Sequence, residues 1–432
     1  MKLFNPYKIS FALLGLLFVL AQQGKAQTDT TMNKLKITFP AYIQLAVKNN
    51  LGYAAEQFKV SIAQADAMSA KVFRDPDFSI GAVNHGQRRM KMGYELSTEL
   101  GYTFELGGKR KARISLANRQ AEQAQLLLND YFRNLRADAT IAFLTAMKEK
   151  SLLEVKQDSY ERMKQLSISD SIRLKHGAIT EIDARQSRLE SVSLLNEVYQ
   201  QEAVWKAALV NMNMLSGSKL EDILYNPSGD VMKFSREFNL AELIRNAQHS
   251  RPDLLAAVKN KEISKDMLRL AKANRVIDLG VTFGLTANSV VANAVAPTPS
   301  SGNVSVGLSI PLKFSNNNMG ALKSANYTLQ QSEVLYQQAL LQIQVEVTQA
   351  YYNYQASQKQ LKEFASGMLT DANKVLEGKI YSYKRGETSL LEVLVAQRSF
   401  NEVRQSYLET LNANAVALME LERTAGIWDI NF

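Results

Sequence analysis

From Lys109 to His176 the chain contains neither glycine nor proline, and Ala, Leu, Gln, Glu, Arg and Lys dominate. The strong helix breakers are missing and good helix formers are concentrated, so the run predicts one long, nearly uninterrupted helix. About 60 residues at ~1.5 Å each extend roughly 90 Å, far beyond the usual helix of a globular domain. A second run, Gly320 to Arg385, has the same character but contains Gly367 and Gly378. Each run ends at a glycine, Gly177 or Gly386, where a residue in the left-handed region lets a helical hairpin reverse. Return helices are expected from about Thr180 to Leu215 and from Ser389 to Arg423, antiparallel to the first pair.

These two helical hairpins belong to two similar halves. "KHGAITEIDARQSRLE" (175 to 190) aligns with "KRGETSLLEVLVAQRS" (384 to 399), so that Gly177 matches Gly386 and Asp183 matches Glu392. Gly217 and Gly426 follow at equal distances. Upstream, "LAVKNNLGYAA" (45 to 55) and "LIRNAQHSRPDLLAA" (243 to 257) share a short apolar helix, a polar break and a second helix. A duplicated unit is therefore expected, with residues 27–217 as one copy and 240–432 as the other. The segment 218–239, which holds Asn226-Pro227-Ser228-Gly229, reads as the connection.

Each half also carries a pair of strand patterns. From Met92 to Leu106 every even position except Thr98 is apolar, and the odd positions are Gly, Glu, Ser or Thr. The same period of two runs from Ile277 to Asn288 and from Val304 to Phe314, with a shorter run at Phe78, Ile80 and Ala82. Four strands are expected, at about 77–84, 92–106, 276–288 and 303–314, forming two hairpins with loops at Asn84 to Lys91 and Ser289 to Gly302. No other strand pattern stands out to cover their apolar faces. The longest run exceeds the 9 to 11 tilted residues that cross a bilayer. In a transmembrane barrel the apolar face meets lipid, which would put Glu95, Glu99 and Glu105 on the water-filled side. Four strands cannot close a barrel, since about eight is the smallest number that does, so several chains must contribute.

The N-terminus fits export. Lys2 and Lys8 precede an apolar run from Ile9 to Ala21, and Gly24-Lys25-Ala26 offers small residues for cleavage, so residues 1–26 read as a signal peptide. The apolar core is shorter than the ~20 residues of a spanning helix. With no cysteine, the chain has no disulfide, thiolate metal site or lipidated cysteine. The formal charge is +9 over 432 residues, and in an exported chain this balance points to phospholipid rather than nucleic acid. His85, His176 and His249 are scattered without metal-ligand spacing, and no nucleophile comes with a base and an orienting group. Neither a metal site, a cofactor nor an enzymatic activity is expected.

Several stretches narrow the reading. "FELGGKRKARI" (104 to 114), "RPDLLAA" (251 to 257), "IPLKFSNNNMGAL" (310 to 322) and "GETSLLEVLVAQR" (386 to 398) resemble segments of the TolC-type outer-membrane efflux family. They are most similar to its cobalt-zinc-cadmium and copper/silver resistance branch, the CzcC-like and CusC-like proteins. The resemblance implies a mixed fold: long antiparallel α-helical hairpins forming a periplasmic tunnel, and four β-strands per chain contributing to a trimeric 12-stranded outer-membrane β-barrel. It also implies a homotrimer whose partners are a periplasmic adaptor, an inner-membrane pump of the resistance-nodulation-division type and outer-membrane lipids. Substrate, heavy-metal cations in this branch, would leave the cell through the tunnel. The same architecture serves drug efflux and type I protein secretion, and these remain alternatives.

Carried onto this sequence, the adaptor-docking turns are Gly177-Ala178-Ile179-Thr180 and Gly386-Glu387-Thr388-Ser389. The polar contacts that close the tunnel in the family map to Tyr383, with Asp183 as its partner, and to Glu392; Val395 stands where the family has a second carboxylate. Asp183 and Glu392 can also be read as surface helix residues paired with Arg185 or Lys384, each pair worth under ~1 kcal/mol. At the strand-to-helix junction Gly107 and Gly108 supply the bend. Lys109, Arg110, Lys111 and Arg113 then oppose the helix dipole, and lipid phosphates at the membrane boundary are their expected partners.

Overall fold

In the computed structural model the described residues are 33–218, 223–229, 236–312, 316–364 and 366–428. The expected signal peptide lies outside them, as do Lys313 and Phe314 at the end of the expected fourth strand and parts of the connection 218–239.

The chain runs β1 (Asn33–Ile37), α1 (Phe39–Asn49), α2 (Leu51–Ser69), β2 (Asp77–Asn84), β3 (Tyr94–Phe104), α3 (Lys109–Lys175) and α4 (Glu181–Leu215). It continues as β4 (Ile223–Pro227), α5 (Leu240–Ser250), α6 (Pro252–Ala273), β5 (Leu279–Asn288), β6 (Ser301–Ser309), α7 (Met319–Phe364), α8 (Met368–Lys384) and α9 (Leu390–Ala425). The expected long helix is α3, a single element of 67 residues, about 100 Å from end to end. Its counterpart divides into α7 and α8 at Gly367, which sits at φ +115°, whereas Gly378 stays inside α8.

The four long strands form one antiparallel sheet in the order β2-β3-β5-β6. The register aligns Phe78, Leu100, Phe283 and Val306 in one row across all four strands, and Ser79, Glu99, Gly284 and Ser305 in the adjacent row on the other face. The apolar face is uncovered: Phe78 is 65% exposed and Val306 71%. β2 has the expected bounds, whereas the other three strands are shorter than expected: β3 runs only from Tyr94 to Phe104, β5 starts at Leu279, and β6 ends at Ser309.

A second sheet departs from the sequence reading. β1 and β4 pair in parallel, Asn33 opposite Ile223 through Ile37 opposite Pro227. Five-residue strands with mixed polarity carry too little alternation to stand out. The pair closes over a core in which Phe39, Tyr42, Phe143, Leu209, Met212 and Leu224 are buried, and it ties the segment between the halves to the start of the first. A second core joins α3, α5, α6, α7 and α9 through Leu243, Leu254, Ile343, Tyr354 and Leu418. Here Arg251, the first residue of the RPD stretch, is 3% exposed. It donates twice to Asp253 (2.6 and 3.1 Å), to Glu346 at 2.7 Å and to the Thr424 carbonyl at 3.1 Å, so one guanidinium fastens α6 to α7 and α9.

Candidate functional site

The two helical tips are built alike. At the first, Gly177 takes φ +68°, its N–H reaches the Leu174 carbonyl (2.9 Å), and the Ala178 N–H reaches the Arg173 carbonyl (2.9 Å). At the second, Gly386 takes φ +80°, with Gly386 N–H to Tyr383 (3.0 Å) and Glu387 N–H to Ser382 (2.9 Å). Both are glycine-terminated helix ends in which the last carbonyls find partners within the turn. The next helices start on hydroxyl caps: Thr180 accepts from the Asp183 N–H at 3.1 Å, and Ser389 accepts from the Glu392 N–H at 3.4 Å. Gly177, Ala178, Thr180, Gly386, Glu387 and Ser389 are exposed, and Ile179 and Thr388 are half-buried.

Just behind the tips, the contact expected between Tyr383 and Asp183 is replaced by another. The Tyr383 hydroxyl donates to Asp170 Oδ1 at 3.1 Å, joining α8 to α3. Asp183 instead accepts from the Thr180 hydroxyl at 2.7 Å, closing its own cap. Asp170 is fully buried and Tyr383 is 4% exposed. Arg173 lies over the Tyr383 ring at 4.9 Å from its centroid and 3.7 Å from Asp170. Burial pushes the Asp170 carboxyl above the ordinary aspartate range, against the opposing pull of Ser187, Tyr383 and Arg173, with the nearby Asp183 charge adding to the rise. Burial, then the Asp170 charge, pushes the Tyr383 phenol up as well. Met163, Leu166, Leu194, Leu390, Val393 and Leu394 pack around this group.

Glu392 faces a different partner from either candidate in the sequence. Lys379 of α8 donates to its carboxylate at 2.5 Å, and that hydrogen bond holds its pKa below the usual glutamate range. The alignment that carries Gly177 onto Gly386 also carries Asp170 onto Lys379 and Asp183 onto Glu392. In the second hairpin this position pair is therefore an ion pair across the hairpin. In the first it is two acids, which cannot pair with each other, and Asp170 reaches across to Tyr383 of the other hairpin. Asp170, Arg173 and Lys379 escaped the sequence reading because tip matching followed the glycines and not the residues two turns before them. Val395, in the place of a second carboxylate, is 56% exposed.

In the sheet, Glu95 and Glu99 share the polar face with Gly, Ser and Thr. Glu105 does not join them, because β3 ends at Phe104. Its side chain turns back to the junction, accepting two hydrogen bonds from Arg113 (2.9 and 3.1 Å) with Arg74 at 3.8 Å. The junction itself differs from the expected lipid-facing cluster. Lys109 is buried and paired with Asp278 at 2.5 Å. Arg110 donates to the Lys71 carbonyl at 2.6 Å and lies 3.9 Å from the centroid of the Phe73 ring. Three of the four cations are thus satisfied by the protein, and Lys111 remains exposed. Gly107 and Gly108 take φ +70° and +73°, as the bend requires, and a Cβ on Gly107 would lie 2.5 Å from Val276 Cβ.

Among the described residues no group of three or more His, Cys, Asp or Glu is placed to hold a metal ion, and no helix among them is long and apolar enough to cross a membrane. The geometry is that of two helical hairpins joined near their tips by a buried polar contact, with a four-stranded sheet at the other end.

Residues 243–426 match the family model described as outer membrane efflux protein. Over 433 residues the chain is 22% identical to the cobalt-zinc-cadmium resistance protein CzcC of Cupriavidus metallidurans, covering 98% of this chain and 99% of that one. It is 22% identical to the outer membrane protein TolC of Vibrio cholerae over 330 residues, 74% of this chain and 71% of that one. Among solved structures, CusC superposes with a TM-score of 0.74 at 19% identity, covering 94% of this chain and 96% of that one. The same fold of long helical hairpins and strands occurs in the outer-membrane channel OprN, with a TM-score of 0.74 at 17% identity, covering 90% of this chain and 89% of that one.

Proposed function

We propose that this chain, a family-level match to the TolC-type outer-membrane efflux proteins with CzcC and CusC among its closer relatives, is the exit duct of a tripartite efflux system and works as a homotrimer. The observation that carries the trimer is an unfinished surface. β2 and β6 end the sheet with no neighbour among the described residues, and an exposed sheet edge invites another strand. α6 packs between α3 and α7, whereas α2, its counterpart in the first half, packs on α3 and leaves Leu51, Phe58 and Ile62 at least 60% exposed. α7 in turn exposes Val334, Leu341, Val345 and Tyr352. A second copy that set its α7 against α2 and its β6 against β2 would cover both at once. Three copies would give twelve strands.

In this reading residues 1–26 are a signal peptide, and 27–217 and 240–432 are two copies of one unit joined by 218–239. β3, 11 residues long, would rise about 25 Å through the membrane at a ~45° tilt, the height of a barrel's apolar band. Glu95 and Glu99 would face the lumen. The tips around Gly177 and Gly386 would receive a periplasmic adaptor linked to an inner-membrane pump of the resistance-nodulation-division type, and the Tyr383–Asp170 contact would hold the tunnel closed. Heavy-metal cations are the proposed cargo, supported by the full-length likeness to a protein named for cobalt, zinc and cadmium resistance.

Deleting the gene and comparing growth in cobalt, zinc, cadmium, copper and silver with growth in dyes, detergents and lipophilic antibiotics tests the cargo. Selective sensitivity to metals is expected. Sensitivity to drugs alone would overturn the metal assignment and keep the duct, and loss of an exported protein instead would make it a secretion channel.

A further inference from the structure

The end of the sheet farthest from the long helices is formed by two loops. The β2–β3 loop contains a single helical turn, Gln87–Met90, followed by Lys91 in the left-handed region at φ +52°. Arg88, Arg89 and Lys91 are exposed, and none has an acidic partner among the described residues. The carboxylate at this end, Glu95, is hydrogen-bonded to His85 at 3.2 Å and to none of the three cations. The facing loop, Ser289 to Ser300, contains no charged residue. This rim therefore carries three cations that make no ion pair among the described residues.

The loop that displays them is fastened on both sides. Asn84 Oδ1 accepts from the Gly86 and Gln87 N–H groups at 3.1 and 2.9 Å, and Gln87 Oε1 accepts from the Gly93 N–H at 2.6 Å. Asn293 Nδ2 donates to the Met90 carbonyl and the Ala292 N–H to the Lys91 carbonyl, both at 3.0 Å. Backbone groups of the turn are thus consumed by neighbouring segments, and its cationic side chains point outward. Between and below them come Met90, Met92 and Tyr94, at 58%, 39% and 54% exposure, and then the uncovered Leu96, Ile80 and Phe78. An apolar face that passes through an exposed tyrosine into a row of cations follows the order acyl chain, interface, headgroup.

The opposite rim makes the contrast. There Lys109, Arg110 and Arg113 are engaged by Asp278, the Lys71 carbonyl with Phe73, and Glu105. At that rim only Lys111 of the four junction cations is left exposed, whereas all three cations of the outer loop are.

We propose that Arg88, Arg89 and Lys91 form a binding surface for phosphate-bearing lipid headgroups of the outer leaflet, fixing the barrel's outer rim in its membrane. Guanidinium groups suit this task because their planar forks bind phosphate oxygens in pairs, with the lysine adding a point charge. The inference rests on the outer-membrane barrel reading.

The test uses the mature full-length protein in phosphatidylcholine nanodiscs doped with diphosphoryl lipid A or with its dephosphorylated form, and counts retained glycolipid by native mass spectrometry. The wild type should retain the diphosphoryl form selectively. Arg88→Gln/Arg89→Gln/Lys91→Gln should lower that retention about fivefold per charge, roughly a hundredfold in all, with unchanged channel conductance. Equal retention by the two proteins, or retention indifferent to the phosphates, would overturn the inference while conductance keeps the channel reading intact. Full displacement by millimolar inorganic phosphate would also overturn it, by making the surface a free-anion site. A wild type that neither enters nanodiscs nor conducts would overturn both.

Discussion

Replacing Tyr383 by Phe removes one oxygen from a buried contact and little else. The phenol, 4% exposed, donates across hairpins to Asp170 at 3.1 Å. A hydrogen bond to a charged group contributes about 1.5–3 kcal/mol, which corresponds to a factor of about 10 to 150 in the closed-to-open ratio of each protomer. Tyr383→Phe should therefore raise the open fraction of the reconstituted channel in single-channel recordings, without altering the fully open conductance. Proton linkage adds a second sign. Burial raises the Asp170 pKa in this structure; in the proposed gate this is the closed state, and opening would return the pKa toward the ordinary aspartate range. The closed state binds the extra proton, so acidification from the raised pKa down to the ordinary range should favour closure, and raising the pH through that window should release it. Asp170→Asn, which keeps an acceptor and removes the buried charge, should flatten this pH dependence. If Tyr383→Phe gates like the wild type, or if Asp170→Asn leaves the pH response intact, the contact is not the clamp.

Three further outcomes follow from the geometry. Gly107→Ala places a methyl 2.5 Å from Val276 Cβ at φ +70°; it should destabilise the protein by about 2–4 kcal/mol from strain and overpacking. A lower melting temperature that Val276→Ala only partly restores would confirm both sources. Arg251→Met leaves Asp253 and Glu346, both part-exposed, without the guanidinium that joins them, at a cost of about 1.5–3 kcal/mol, read as a loss of folded protein in a urea titration; a midpoint within error of the wild type would contradict the fastening role. Glu95→Gln with Glu99→Gln removes carboxylates from the polar face of the sheet and should shift the zero-current potential in a salt gradient toward lower cation preference. No shift would place the selectivity elsewhere.

The parts legible in the sequence are those written in a period. The alternation around Leu96 and Leu100 marks β3, and the absence of glycine and proline after Gly108 marks α3. Gly177 and Gly386 mark the tips, because only a left-handed residue makes that turn cheaply. What stayed hidden depends on partners distant in sequence. Nothing near Asp170 announces Tyr383, 213 positions away, and nothing near Lys109 announces Asp278. Glu105 fits the strand alternation, yet pairing stops one residue earlier and Arg113, one helical turn into α3, captures it. Charge at a junction looks available for lipid until the fold supplies a counter-charge.

The proposed duct requires three chains sharing one barrel. Native mass spectrometry of the protein extracted with detergent from outer-membrane fractions measures this, and the lack of cysteine excludes disulfide artefacts. A species of three mature chains that persists through extraction is the expected result. A monomer recovered from the soluble periplasmic fraction without detergent would contradict it.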